Sequence, residues 1–127
     1  MHRNENAYNE NNNSLVILIT VKNQYFLLMG DASKTIEDKL LNFAWPPIDL
    51  LQVSYHGLST AFSEEFISKI KPKTCFISAT HDYQQNFPTA KTLATLNKYH
   101  CQIYQTNISH NLVYNINERA KSYLTTF

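Results

Sequence analysis

Short, β-prone apolar runs alternate along this chain with segments of helical period, and several runs end at a glycine, serine or other polar residue. Leu15 to Val21 and Tyr25 to Met29 are separated by Lys22-Asn23-Gln24, which predicts a hairpin with a short loop. After Asp31, Ser33 can cap a helix whose apolar positions Ile36, Leu40, Leu41 and Phe43 recur on one face until Pro46-Pro47 ends it. Ile48 to Ser54 reads as a buried strand. Ser63 with Glu64, Glu65 and Phe66 opens a second helix, with Phe66, Ile67 and Ile70 inward and Pro72 as its stop. Thr74 to Ser78 is then a strand, Pro88 to Tyr99 a helix with Leu93 and Leu96 inward, and Gln102 to Gln105 and Asn111 to Ile116 two further strands. This order predicts an α/β fold: a mixed sheet with helices packed on it and functional loops at the strand ends.

Two such ends carry chemistry. Gly30-Asp31 follows Tyr25-Phe26-Leu27-Leu28-Met29, and Tyr55-His56-Gly57 follows the next strand, so both polar side chains are expected on one edge of one sheet. Carboxylate and neutral imidazole are ordinary ligands of zinc or manganese. A catalytic ion takes about three protein ligands and keeps an open position, so the pair alone is an incomplete site. The bland alternatives stay open: Asp31 could cap the following helix or hold its turn, and His56 could simply bond to nearby backbone.

The chain has 127 residues and is 43% hydrophobic, enough for one domain with one core. Met1 to Asn13 is polar and reads as a flexible arm; residues 14–116 form the folded unit, and Asn117 to Phe127 is a tail without a clear assignment. A formal charge of +1 gives no basis for a nucleic-acid partner, and Lys69-Ile70-Lys71-Pro72-Lys73 reads as a solvated helix end. No apolar run approaches the ~20 residues of a membrane span, and no signal-peptide core is present, so the isolated chain is expected to be soluble and cytoplasmic. Cys75 and Cys101 could be neighbours in buried strands; without a Cys-x-x-Cys spacing they read as free core thiols. His81 and Asp82 read as surface loop, and His2, His100 and His110 as exposed. Ser54, Ser59 and Thr60 lack a nucleophile elbow around them.

Several fragments in order resemble the C-terminal half of the metallo-β-lactamase-like domain of the ComEC family, the DNA-uptake channel proteins of bacterial competence. They are Asn11-Asn12-Asn13-Ser14-Leu15-Val16, Leu27-Leu28-Met29-Gly30-Asp31-Ala32, Tyr55-His56-Gly57 with Ser63-Glu64-Glu65-Phe66, and Ile70-Lys71-Pro72-Lys73 with Ile77-Ser78-Ala79. The resemblance implies a partial αββα fold, C-terminal half only, with Asp31 and His56 as ligands of a divalent metal. The intact family sits in the inner membrane and is thought to cleave phosphodiester bonds of incoming DNA.

Departures from the pattern matter as much. The family's His-x-His-x-Asp-His cluster is absent, Tyr55-His56-Gly57-Leu58 stands for His-His-Gly-Ser, and Asn86-Phe87-Pro88 stands for Gly-His-Pro. Without those ligands a bound water would not be activated, so the chain on its own is expected to be inactive. Two readings follow: part of a metal-dependent hydrolase that needs the missing N-terminal half, or a non-catalytic module for binding or self-association. A phospho-acceptor domain fits poorly, since Leu15 to Val21 offers no acidic pair for magnesium.

Overall fold

The computed structural model describes residues 13–59, 62–80, 87–116 and 123–126. The expectations for the N-terminal arm before Asn13, Thr60, the His81-Asp82 loop, Asn86 and most of the tail fall outside those residues. β1 (Ile17–Val21) and β2 (Gln24–Leu28) form the expected hairpin. Its turn is tighter than expected: Lys22 and Asn23 both take positive φ, 48° and 63°, which matches a two-residue turn to the twist of the strands.

The chain then runs through α1 (Lys34–Leu40), β3 (Leu50–Gln52), α2 (Glu64–Ile70), β4 (Thr74–Ile77), α3 (Ala90–Lys98) and β5 (Gln102–Gln105). The sheet order is β1-β2-β3-β4-β5, with β1 antiparallel to β2 and the other neighbours parallel. The sheet is therefore mixed, as expected. Parallel neighbours taken in sequence order, joined by right-handed crossovers, place successive helices on one face. The core confirms it, since Leu27, Met29, Leu51, Val53, Cys75 and Ile77 meet Phe66, Ile67, Ile70 and Leu96 in one cluster. Strand alternation turns Phe26, Leu50, Gln52, Phe76 and Tyr104 to the opposite face.

On that second face lies a two-stranded piece, β6 (Leu112–Asn115) with β7 (Tyr123–Thr126), reached through the short helix α4 (Thr106–Ser109). Phe26 meets Tyr114 edge to face there, with ring centroids 5.3 Å apart. Among the described residues no helix is long and apolar enough to cross a membrane.

Two expectations are corrected. Phe43 is 60% exposed rather than inward, because α1 stops at Leu40, whose carbonyl accepts the Trp45 indole N–H at 2.7 Å. Trp45 instead packs edge to face on Phe66, centroids 5.8 Å apart. Cys75 and Cys101 are joined in a disulfide rather than free, since β4 and β5 lie side by side and bring their Cα atoms to 6.1 Å. The Ser63 cap stands as expected, its hydroxyl accepting from Phe66 N.

Candidate functional site

Asp31, His56 and Ser78 follow the C-terminal ends of the adjacent parallel strands β2, β3 and β4. Ligands of open α/β sheets bind outside those carboxyl ends. The loop after β2 is held by Gln52, whose Oε1 accepts from Met29 N at 2.9 Å and Gly30 N at 2.7 Å. Gln52 Nε2 in turn donates to the carbonyl of Val53 at 2.7 Å, so one side chain sets the Asp31 loop against the start of the next.

His56 stands in a tight turn, Ser54–Gly57, in which Tyr55 (φ 46°, ψ 48°) and His56 (φ 54°, ψ 22°) are both left-handed. Non-glycine residues there cost on the order of 1–2 kcal/mol each, and persist only when their surroundings hold them. Here Tyr55 N donates to Gly30 O at 3.0 Å and Thr89 N to Gly57 O at 3.1 Å. Gly57 (φ 75°) sits against Pro88, where a Cβ would stand 2.7 Å from the proline Cβ. Tyr55 and Phe87 flank the imidazole, with Tyr55–Phe87 centroids 6.4 Å and His56–Phe87 centroids 6.2 Å apart.

The ring nitrogen Nδ1 of His56 lies 2.7 Å from the carbonyl oxygen of Ser78. An oxygen acceptor requires that Nδ1 carry the hydrogen, so in the neutral ring Nε2 is the bare nitrogen. Nε2 faces Asp31 Oδ1 at 3.8 Å, with both side chains about half exposed. That is too long for a hydrogen bond. Two ligands ~2.1 Å from one tetrahedral ion stand ~3.4 Å apart, so a small side-chain adjustment would let both reach the same cation. The backbone partner on Nδ1 is the outer contact that metal-bound histidines use to fix their tautomer. The pair thus fits a divalent ion as two of its ligands. Among the described residues no third His, Cys, Asp or Glu joins them.

A recess of about 160 Å³ lined by His56, Ser78, Ala79, Thr80 and Phe87 opens beside the pair. It shares Ser78 with a wider cleft of about 640 Å³ against Gln52, Phe76 and Thr106. His100 and His110 are exposed, as expected.

Sequence reasoning missed three contributors: Gln52, the Ser78 carbonyl and Glu37. Glu37 is 2% exposed; its Oε1 accepts from Ser54 Oγ at 2.9 Å and its Oε2 from Ser63 N at 2.6 Å. Burial pushes its pKa up to about 8, although both hydrogen bonds pull the other way. Its phase was legible, because it precedes Leu40 and Leu41 by three and four residues and so falls on the buried stripe of α1.

No protein-family model matches the chain. It is 30% identical over 116 residues to ComE operon protein 3 of Bacillus subtilis (strain 168), covering 90% of this chain and 15% of that protein. It is 31% identical over 100 residues to Recombination protein 2 of Haemophilus influenzae (strain ATCC 51907 / DSM 11121 / KW20 / Rd), covering 79% of this chain and 13% of that protein. The chain therefore spans only a small part of the length of these relatives. Over most of its own length it is homologous to a segment of each, and that relation supports the competence-family resemblance read from its fragments.

Proposed function

We propose that this chain is the C-terminal half of a metallo-β-lactamase-like domain of the competence type, retaining in Asp31 and His56 two ligands of a divalent-metal centre that serves DNA uptake. The observation that carries this reading is the pairing itself. A bare imidazole nitrogen, set by the Ser78 carbonyl, faces a half-exposed carboxylate across 3.8 Å at the carboxyl edge of a parallel sheet.

A divalent ion held there, zinc or manganese, would act as a Lewis acid and lower the pKa of a bound water for phosphodiester hydrolysis. The residues present do the positioning. Gln52 and Gly30 set the Asp31 loop, Ser78 orients the imidazole, and Tyr55 and Phe87 flank it. With two protein ligands, the centre needs further donors for catalysis.

Calorimetric titration with manganese and with zinc tests the reading. Binding is expected in the wild type and is abolished by Asp31→Ala and by His56→Ala, after which nuclease activity is assayed with the N-terminal half of the domain supplied. Absence of binding, or binding indifferent to both substitutions, overturns the metal role. One observation favours a second reading, an association module: β1 is exposed along its whole length and carries Ile17, Leu18, Ile19 and Val21.

A further inference from the structure

We infer that Glu37 is a positioning residue for His56: its buried carboxyl, reaching from α1, fixes the left-handed turn that presents the imidazole and ties that turn to the start of α2. The inference rests on the reading of Asp31 and His56 as the functional pair. Each carboxyl oxygen serves a different element. Oε1 takes the hydroxyl of Ser54, the first residue of the turn, and Oε2 takes the amide of Ser63, the residue that caps α2.

α1 itself begins just after the Asp31 loop, so one side chain sets the element following one ligand against the turn bearing the other. An apolar residue in this place would fill the space but leave the Ser63 amide and the Ser54 hydroxyl buried without this acceptor. A buried acid is a costly way to satisfy them unless the registration matters.

The same arrangement makes the turn sensitive to pH. Among the described residues, the carboxyl meets the uncharged Ser54 hydroxyl from the turn and the Ser63 amide at the start of α2, while the charged groups acting on it, Asp38 and Lys34, lie on its own helix. Burial outweighs the pull of Lys34, so the acid stays protonated at neutral pH; in that form it donates its hydrogen to Ser54 Oγ, the reverse of the Ser54-to-Oε1 bond that the ionised carboxylate accepts. On ionisation the proton leaves to solvent, and both oxygens become acceptors. The hydrogen bond to Ser54 then reverses direction, two residues before His56.

The test follows the backbone amide resonances of Tyr55, His56 and Gly57 by NMR between pH 6 and 9.5 in wild type, Glu37→Gln and Glu37→Ala, with manganese affinity measured in parallel. Glutamine keeps an acceptor for the Ser63 amide and a donor for Ser54 but cannot ionise. The wild-type resonances are expected to pass through an inflection near pH 8 that Glu37→Gln lacks. Glu37→Ala is expected to shift these amides at every pH and to weaken manganese binding about tenfold, with glutamine restoring both at pH 7.

Superimposable wild-type and Glu37→Gln curves overturn the inference, and so does a glutamine variant as disturbed as the alanine one. If Glu37→Ala fails to fold, the comparison of wild type with glutamine still decides. Manganese that does not bind the wild type sinks the metal reading alone, because the amide curves require no metal.

Discussion

Glu37 gives the clearest handle on single-residue energetics. Its acid is pushed from 4.5 to about 8 first of all by desolvation, with Asp38 adding to the rise and Ser54, Ser63 and Lys34 opposing it. The folded state thus holds a proton that the unfolded chain releases, so unfolding liberates a proton between those two values. The stabilisation from this group is complete below about pH 4.5 and is lost as pH climbs through about 8. Unfolding free energies from urea titrations at pH 5 and pH 8.5 are expected to differ by a few kcal/mol in the wild type, with the difference mostly removed in Glu37→Gln. A flat wild-type profile would contradict a buried neutral acid. Little of this was legible beforehand. Asp31 and His56 stood out by chemistry and place, whereas Glu37 is singled out only by its phase with Leu40 and Leu41.

At the scale of elements, periodicity located most strands and helices, because their apolar positions face one shared core and their ends carry ordinary stop signals. Its failures were where a specific hydrogen bond or a pairing of remote segments decides the backbone. α1 ends early, with the Leu40 carbonyl accepting from Phe43 N and from the Trp45 indole, and hydrophobic period alone does not announce that turn. The Tyr55-His56 pair gives no warning of two left-handed residues in succession; only Gly57 hints at a tight turn, and the anchors on Gly30, Ser78 and Thr89 are remote in sequence. The cysteines likewise become neighbours only through the pairing of β4 with β5. Their disulfide spans a sequence separation of 26 and lies in the core, with Cys75 at 0% and Cys101 at 5% exposure. Chain-entropy reasoning for a loop of that length gives about 3.5 kcal/mol. The double variant Cys75→Ala, Cys101→Ala is therefore expected to lose roughly that much in denaturant unfolding. A loss well under about 1 kcal/mol would mean that the bond adds little to the packing of β4 against the start of β5.

Across the whole molecule, the described residues place the helical layer on one side of the sheet and leave β1 as an apolar edge. Such an edge offers unpaired backbone groups to another strand. If association is its role, sedimentation velocity will show concentration-dependent self-association that a chelator does not alter and that Ile19→Lys suppresses. Monomeric behaviour across the concentration range would remove the support that β1 gives to the module reading. The disulfide has a consequence at this scale too. Cytosols keep such thiols reduced, while secretory and periplasmic spaces let them oxidise. The cysteine pair therefore acts as a chemical memory of where the polypeptide matured. Its oxidation state, trapped by alkylation at the moment of lysis, tells on which side of a bilayer this sheet was assembled.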